Sequence, residues 1–137
     1  MKLRLFLLIM VMAMSFAFNS KKEVSVEVKP ASVEVKNGQS FSFFVRLKSV
    51  AGVHINAQPP VSVKSETEGA SLTVTEIPKA GEYLDSSKPI KVECKVTGMK
   101  AGVHKLNFVV GYTYCSETEG WCRMGKDESS IEIKVKK

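Results

Sequence analysis

Three cysteines hold most of the chemistry available to this chain, and their spacing divides them into a pair and a single residue. Cys115 and Cys122 flank Ser116-Glu117-Thr118-Glu119-Gly120-Trp121, a short polar segment containing glycine that reads as a hairpin-like loop. Two thiols so placed can form a bridge if their Cα atoms come within about 7 Å. A thiolate can open such a bridge by attacking one sulfur, at a rate set by thiolate fraction, leaving-group pKa and access. The surrounding charges pull both ways, since Glu117 and Glu119 disfavour a thiolate while Arg123 and Lys126 favour one. Trp121 beside Cys122 is either a docking surface or lid for a partner, or a ring packed on Tyr112 or Tyr114.

Whether the pair is oxidised depends on the compartment. Met1-Lys2-Leu3-Arg4 is a basic start, Leu5 to Ala13 is apolar throughout, and Ser15-Phe16-Ala17 has the small-x-small pattern of a cleavage site. Residues 1–17 are therefore expected to be a signal peptide and residues 18–137 a single exported domain, periplasmic or secreted, where neighbouring cysteines pair. The apolar run is too short to cross a bilayer core of roughly 30 Å, and no membrane insertion is expected. Removing Lys2 and Arg4 lowers the formal charge from +6 to +4, and the remaining lysines are interspersed with glutamates. A solvated surface fits that pattern, so no nucleic-acid partner is expected, and the chain is expected to be a monomer.

The elements that must position the cysteines are strands. Val24, Val26 and Val28 alternate with polar neighbours, as do Phe41, Phe43, Val45 and Leu47, with Phe44 the exception. The same period of two runs through Ile90, Val92, Cys94 and Val96 and through Ile131, Ile133 and Val135. Glycine-containing turns such as Asn37-Gly38, Glu68-Gly69 and Thr97-Gly98 separate these runs, and no segment after residue 20 carries a helical period. The expected fold is an all-β, immunoglobulin-like antiparallel sandwich of about seven to nine strands. Cys94 falls on the apolar side of its strand and reads as a buried, inert thiol. If the strand from Val103 keeps its register, His104, Leu106, Phe108, Val110, Tyr112 and Tyr114 face inward and Cys115 outward, unless a bulge at Gly111 reverses the assignment.

Two readings of the pair follow from pattern alone. As a staple closing an eight-residue loop it would stabilise the fold by roughly 2.5 kcal/mol. As a redox centre it has the advantage that opening so small a loop leaves the fold in place. A third reading, a soft-metal site such as a copper carrier, would need Cys115, Cys122, Met124 and a histidine to converge. Cys-x6-Cys is not a tight chelating motif, and His54 and His104 read as structural, so neither metal nor cofactor is expected. No nucleophile–histidine–acid constellation, paired-carboxylate signature or phosphate-cradling loop supports hydrolase or nucleotide chemistry.

Gly52-Val53-His54-Ile55-Asn56-Ala57-Gln58-Pro59-Pro60 resembles a segment near the start of the N-terminal periplasmic domain of the thiol:disulfide interchange protein DsbD family. Tyr112-Thr113-Tyr114-Cys115 through Trp121-Cys122 is similar to that domain's tyrosine-rich strand and cysteine pair, in the same order and about as far along the chain. The resemblance implies an immunoglobulin-like domain that receives reducing equivalents from a membrane partner and passes them to thiol-containing periplasmic proteins. It implies that Cys115 and Cys122 are the exchanging pair, and that Tyr83, Tyr114 and Trp121 shield it or bind partners. The chain departs from the family where Arg123-Met124-Gly125 replaces a pair of prolines, in a pair spacing one residue longer than is usual, and in having Tyr83 as its one candidate for an aromatic cap. The electron donor is expected to be a separate membrane or thioredoxin-like protein.

Overall fold

The alternating runs become strands in the computed structural model, which describes residues 22–137; the expected signal peptide, residues 1–17, lies outside the described residues. In chain order the strands are β1 (Val24–Lys29), β2 (Ser32–Lys36), β3 (Ser40–Ser49), β4 (Val53–Ile55), β5 (Ser62–Ser65) and β6 (Ala70–Glu76). They continue with β7 (Lys79–Ala80), β8 (Tyr83–Leu84), β9 (Ile90–Val96), β10 (Gly102–Ser116) and β11 (Trp121–Lys136). One sheet has the order β1-β3-β9-β6; the other runs β2-β11-β10, with β4 and β5 sharing the far edge of β10.

This is immunoglobulin-like topology. β1 and β2 are one strand broken at Pro30-Ala31, which crosses from the first sheet to the second. β4 and β5 are likewise one strand, interrupted where Pro59 and Pro60 have no N–H to give to a ladder. Joining each of these and setting aside the small β7–β8 hairpin leaves the seven strands of the basic sandwich.

The inward faces meet in a dry core. Phe43, Val45 and Leu47 of β3, Ile90, Val92, Cys94 and Val96 of β9, and Leu106, Phe108 and Val110 of β10 are at most 1% exposed. Phe43 and Phe108 join the two sheets, their ring centroids 5.2 Å apart. Gly69 is one place where a turn residue is dictated by space as well as by its φ of 85°, because a Cβ there would lie 2.9 Å from the Thr97 carbonyl oxygen.

β10 and β11 form the long hairpin that carries the cysteines. Their register is continuous from Gly102 opposite Val135 to Ser116 opposite Trp121, and Gly111 pairs with Lys126 without a bulge. Cys115 consequently keeps the outward direction expected from the inward set Leu106, Phe108, Val110 and Tyr112. The segment Ser116–Trp121 is shorter as a loop than its sequence suggests: Ser116 and Trp121 pair, and only residues 117–120 turn.

The returning strand also starts ten residues before its apolar alternation, because its first inward positions are filled without aliphatic side chains. Tyr112 lies over Gly125, where any Cβ would collide with the ring. Its hydroxyl donates to Asp127 Oδ2 at 2.8 Å, and the buried Asp127 also pairs with Lys22 at 2.5 Å. Burial, and then the Asp127 carboxylate, push the Tyr112 phenol well above its ordinary pKa.

Candidate functional site

Cys115 and Cys122 are directly opposed on the last rung but one of the β10–β11 ladder and are joined as a disulfide, with Cα atoms 4.1 Å apart. That separation matches the closely spaced, non-hydrogen-bonded pairs of an antiparallel ladder, so the strands themselves bring the thiols together. The bridge is thus a rung of the sheet rather than a clasp across a loose loop. It lies on the outer face, with Cys122 exposed and Cys115 half-buried.

The half-burial of Cys115 comes from β4. His54 is its partner across that edge, and Asn56, two residues on and on the same face, donates from Nδ2 to Cys115 Sγ at 3.3 Å. Asn56 is held from both sides: its N–H donates to Thr113 O at 2.8 Å, and its backbone bridges to Tyr83. The next residue, Ala57, donates its N–H to Glu82 O at 2.9 Å. These bonds attach the β7–β8 hairpin to the edge of the sheet and place Tyr83 beside the cysteine hairpin.

Tyr83 connects three pieces of chain. Its ring stacks on His54 at 4.6 Å between centroids, and its hydroxyl donates to Glu117 in the turn after Cys115. The hydrogen bond to Glu117 is the largest cause of a phenol pKa above the ordinary value. Between the two hairpins an open cleft of about 680 Å³ has Cys115, Cys122 and Trp121 on one wall and Gln58, Glu82 and Tyr83 on the other. Glu82 and Glu117 line it against a single ammonium, Lys79, a balance that disfavours a free thiolate.

Trp121 takes the packed alternative, on Tyr114. It borders the cleft, packs edge-on against that ring at 5.7 Å and donates from Nε1 to Glu119 at 2.6 Å. The Arg123 guanidinium sits 4.1 Å above the indole and also reaches Glu23 at 3.4 Å. Neighbours along a strand face opposite ways, so this cation is turned from Cys122 and does not counter the carboxylates of the cleft. Cys94 is fully buried, and burial pushes its thiol up to about 11.

Of the candidate metal ligands, His54 stands opposite Cys115 but stacks on Tyr83, and the two cysteines are bonded to each other. His104, bonded to Lys100 O at 2.6 Å, is at the opposite end of β10 from Cys115. Met124 is 82% exposed on the same face as Cys122. Among the described residues no three His, Cys, Asp or Glu side chains are grouped to hold a metal ion, and no helix is long and apolar enough to cross a membrane. Asn56 is the site residue whose role the sequence did not show, and the bond from Tyr83 to Glu117 was equally hidden although Glu117 itself was weighed. Asn56 stood inside the quoted motif, but contact with a sulfur 59 positions away is invisible in the sequence.

No family model and no curated protein matches the chain. Among solved structures it is similar to surface layer protein SbsC, domains 1–6, at 18% identity and a TM-score of 0.46, over 81% of this chain and 12% of that one. It is similar to murine CRIg at 11% identity and a TM-score of 0.49, over 85% and 100% of the two chains. AggA, the major subunit of aggregative adherence fimbriae type I from Escherichia coli, gives 12% identity and a TM-score of 0.41 over 82% and 94%. The class that strand order and core define is an immunoglobulin-like β-sandwich with one surface disulfide.

Proposed function

We propose that this chain is an exported thiol:disulfide exchange domain that works through Cys115 and Cys122. The observation that carries the reading is the position of the bridge. Cys122 is an exposed residue beside an open cleft, and neither cysteine of the bridge belongs to the hydrophobic core. Opening such a bond exposes no apolar interior, which is the condition for a domain that must cycle between oxidation states.

The exchange follows from accessibility. A donor thiolate in the cleft attacks Cys122 Sγ; a sulfur–sulfur bond forms to the donor, the Cys115–Cys122 bond breaks, and its electron pair leaves on Cys115 Sγ. A second donor thiolate then attacks the donor sulfur of the mixed disulfide, releasing Cys122 and leaving the donor oxidised and the domain as a dithiol. The reverse sequence reduces an acceptor. Tyr83 and Trp121 form the rim against which partners dock, and Tyr114 supports Trp121 from behind. Those partners are a separate membrane or thioredoxin-like donor and thiol-containing acceptors in the periplasm, in keeping with the DsbD resemblance.

The competing reading is an exported binding module with a plain staple. It is favoured by the register, since directly opposed cysteines form a bridge that the ladder already accommodates. The equilibrium reduction potential of the mature protein carrying Cys94→Ala separates the two. A potential of roughly −120 to −270 mV, with the fold intact after reduction, is expected for exchange. A potential below about −300 mV, or unfolding on reduction, makes the bridge a staple and ends the exchange reading.

A further inference from the structure

The two sulfurs of the bridge are chemically unequal, and one amide group accounts for much of the difference. Cys122 Sγ belongs to an exposed residue, and among the described residues no hydrogen bond reaches it. Cys115 Sγ accepts the Asn56 Nδ2 hydrogen bond at 3.3 Å. That donor is fixed in place by its own backbone bonds to Thr113 and Tyr83, one on each side of the segment. The carboxylates nearby oppose negative charge on sulfur, Lys79 is the one ammonium lining the cleft, and Asn56 is the side chain that donates a hydrogen bond to the bridge itself.

We infer that Asn56 is a catalytic hydrogen-bond donor that makes Cys115 the leaving sulfur and thereby directs incoming thiolates to Cys122. When a thiolate attacks Cys122, the electron pair of the broken bond accumulates on Cys115 Sγ, to which the amide already points. A hydrogen bond that strengthens as charge develops lowers the barrier for that route. Attack at Cys115 has the opposite outcome: the charge would leave on Cys122, where the amide gives no support, and the approach is hindered by β4. In the reverse direction the same bond supports the Cys115 sulfur as it attacks Cys122 Sγ of a mixed disulfide and closes the ring. The inference deepens the exchange reading and rests on it for its biological use, although the chemistry itself can be tested without a partner.

The test uses the oxidised mature protein with reduced glutathione as the attacking thiol. Reaction is stopped with acid, free thiols are alkylated, and mass spectrometry locates the glutathione. Glutathione is expected on Cys122, with Cys115 alkylated. Asn56→Ala is expected to slow the reaction by roughly three- to tenfold and to move glutathione toward Cys115. Asn56→Asp keeps the shape but replaces the donor with a carboxylate; it should slow attack further and raise the pH at which the Cys115 thiolate absorbs in the ultraviolet. Thermal unfolding of each variant checks the fold, and Asn56→Asp alone suffices if Asn56→Ala does not fold. Wild-type rates and unchanged partition in a folded variant overturn the role of Asn56, whatever the reduction potential. A potential in the staple range combined with slow variants overturns the exchange reading and leaves the directing role in place.

Discussion

Cys94 and Cys122 both belong to strands of the same sandwich, yet they live in different chemical worlds. Cys94 is wedged between sheets with its thiol pushed up to about 11, while Cys122 faces water on the outer side of the second sheet. The difference is one of strand face. A shift of one residue in register would exchange the dry and wet positions, so the reactivity of each sulfur is decided by the pairing that fixes its strand. The core and the cleft are thereby separated: one holds the fold together, and the other can change its covalent state.

The sharpest way to break that separation is to damage the core side. Phe108→Ala removes the ring that joins the sheets and should cost about 3–5 kcal/mol in urea unfolding, more than any change at the cleft. The double variant Cys115→Ser with Cys122→Ser should cost at most about 2.5 kcal/mol and retain the β-sheet circular dichroism of the parent. A larger loss would show that core and cleft are coupled after all.

The Tyr112–Asp127 bond lies between the two regions. Tyr112→Phe should cost about 1–2 kcal/mol, because Asp127 keeps Lys22 but loses a buried donor. The pH dependence follows from the raised phenols of Tyr112 and Tyr83 and the raised thiol of Cys94. Above their ordinary pKa values the unfolded chain releases these protons first and so binds fewer than the folded chain. Stability is therefore fully present below about pH 9 and falls as pH rises toward 11 and beyond. Thermal midpoints across that range should fall less steeply in Tyr112→Phe. The smallest effect concerns labelling: iodoacetamide at pH 8 on the reduced, folded protein should modify Cys115 and Cys122 and spare Cys94, as peptide mapping would show.

Much of the sandwich was legible in advance because burying one face leaves a period of two. Val24, Phe43, Val45, Ile90, Val92, Cys94 and Val96 all occupy the inward positions their alternation implies. The first half of β11 was not legible, since Gly125 and Asp127 fill inward positions through a ring and a hydrogen bond, and neither leaves an apolar pattern. The β7–β8 hairpin was hidden for a related reason. Two-residue strands carry no period, and their place is set by bonds from Ala57 and Asn56, far from them in sequence.

What the sequence determined by itself was the class of fold and the inward face of the strands that alternate, β1, β3, β9 and the apolar runs of β10 and β11; the direction of Cys115 waited on the register at Gly111. Fold class and inward face follow from local alternation, which every residue of a strand helps to enforce. Only the tertiary structure decided that Cys115 and Cys122 stand on one rung, that Asn56 reaches one sulfur and not the other, and that Tyr83 ties His54 to Glu117 beside the cleft. Each of these is a contact between segments whose spacing along the chain is arbitrary, brought together by the order of strands in the sheet.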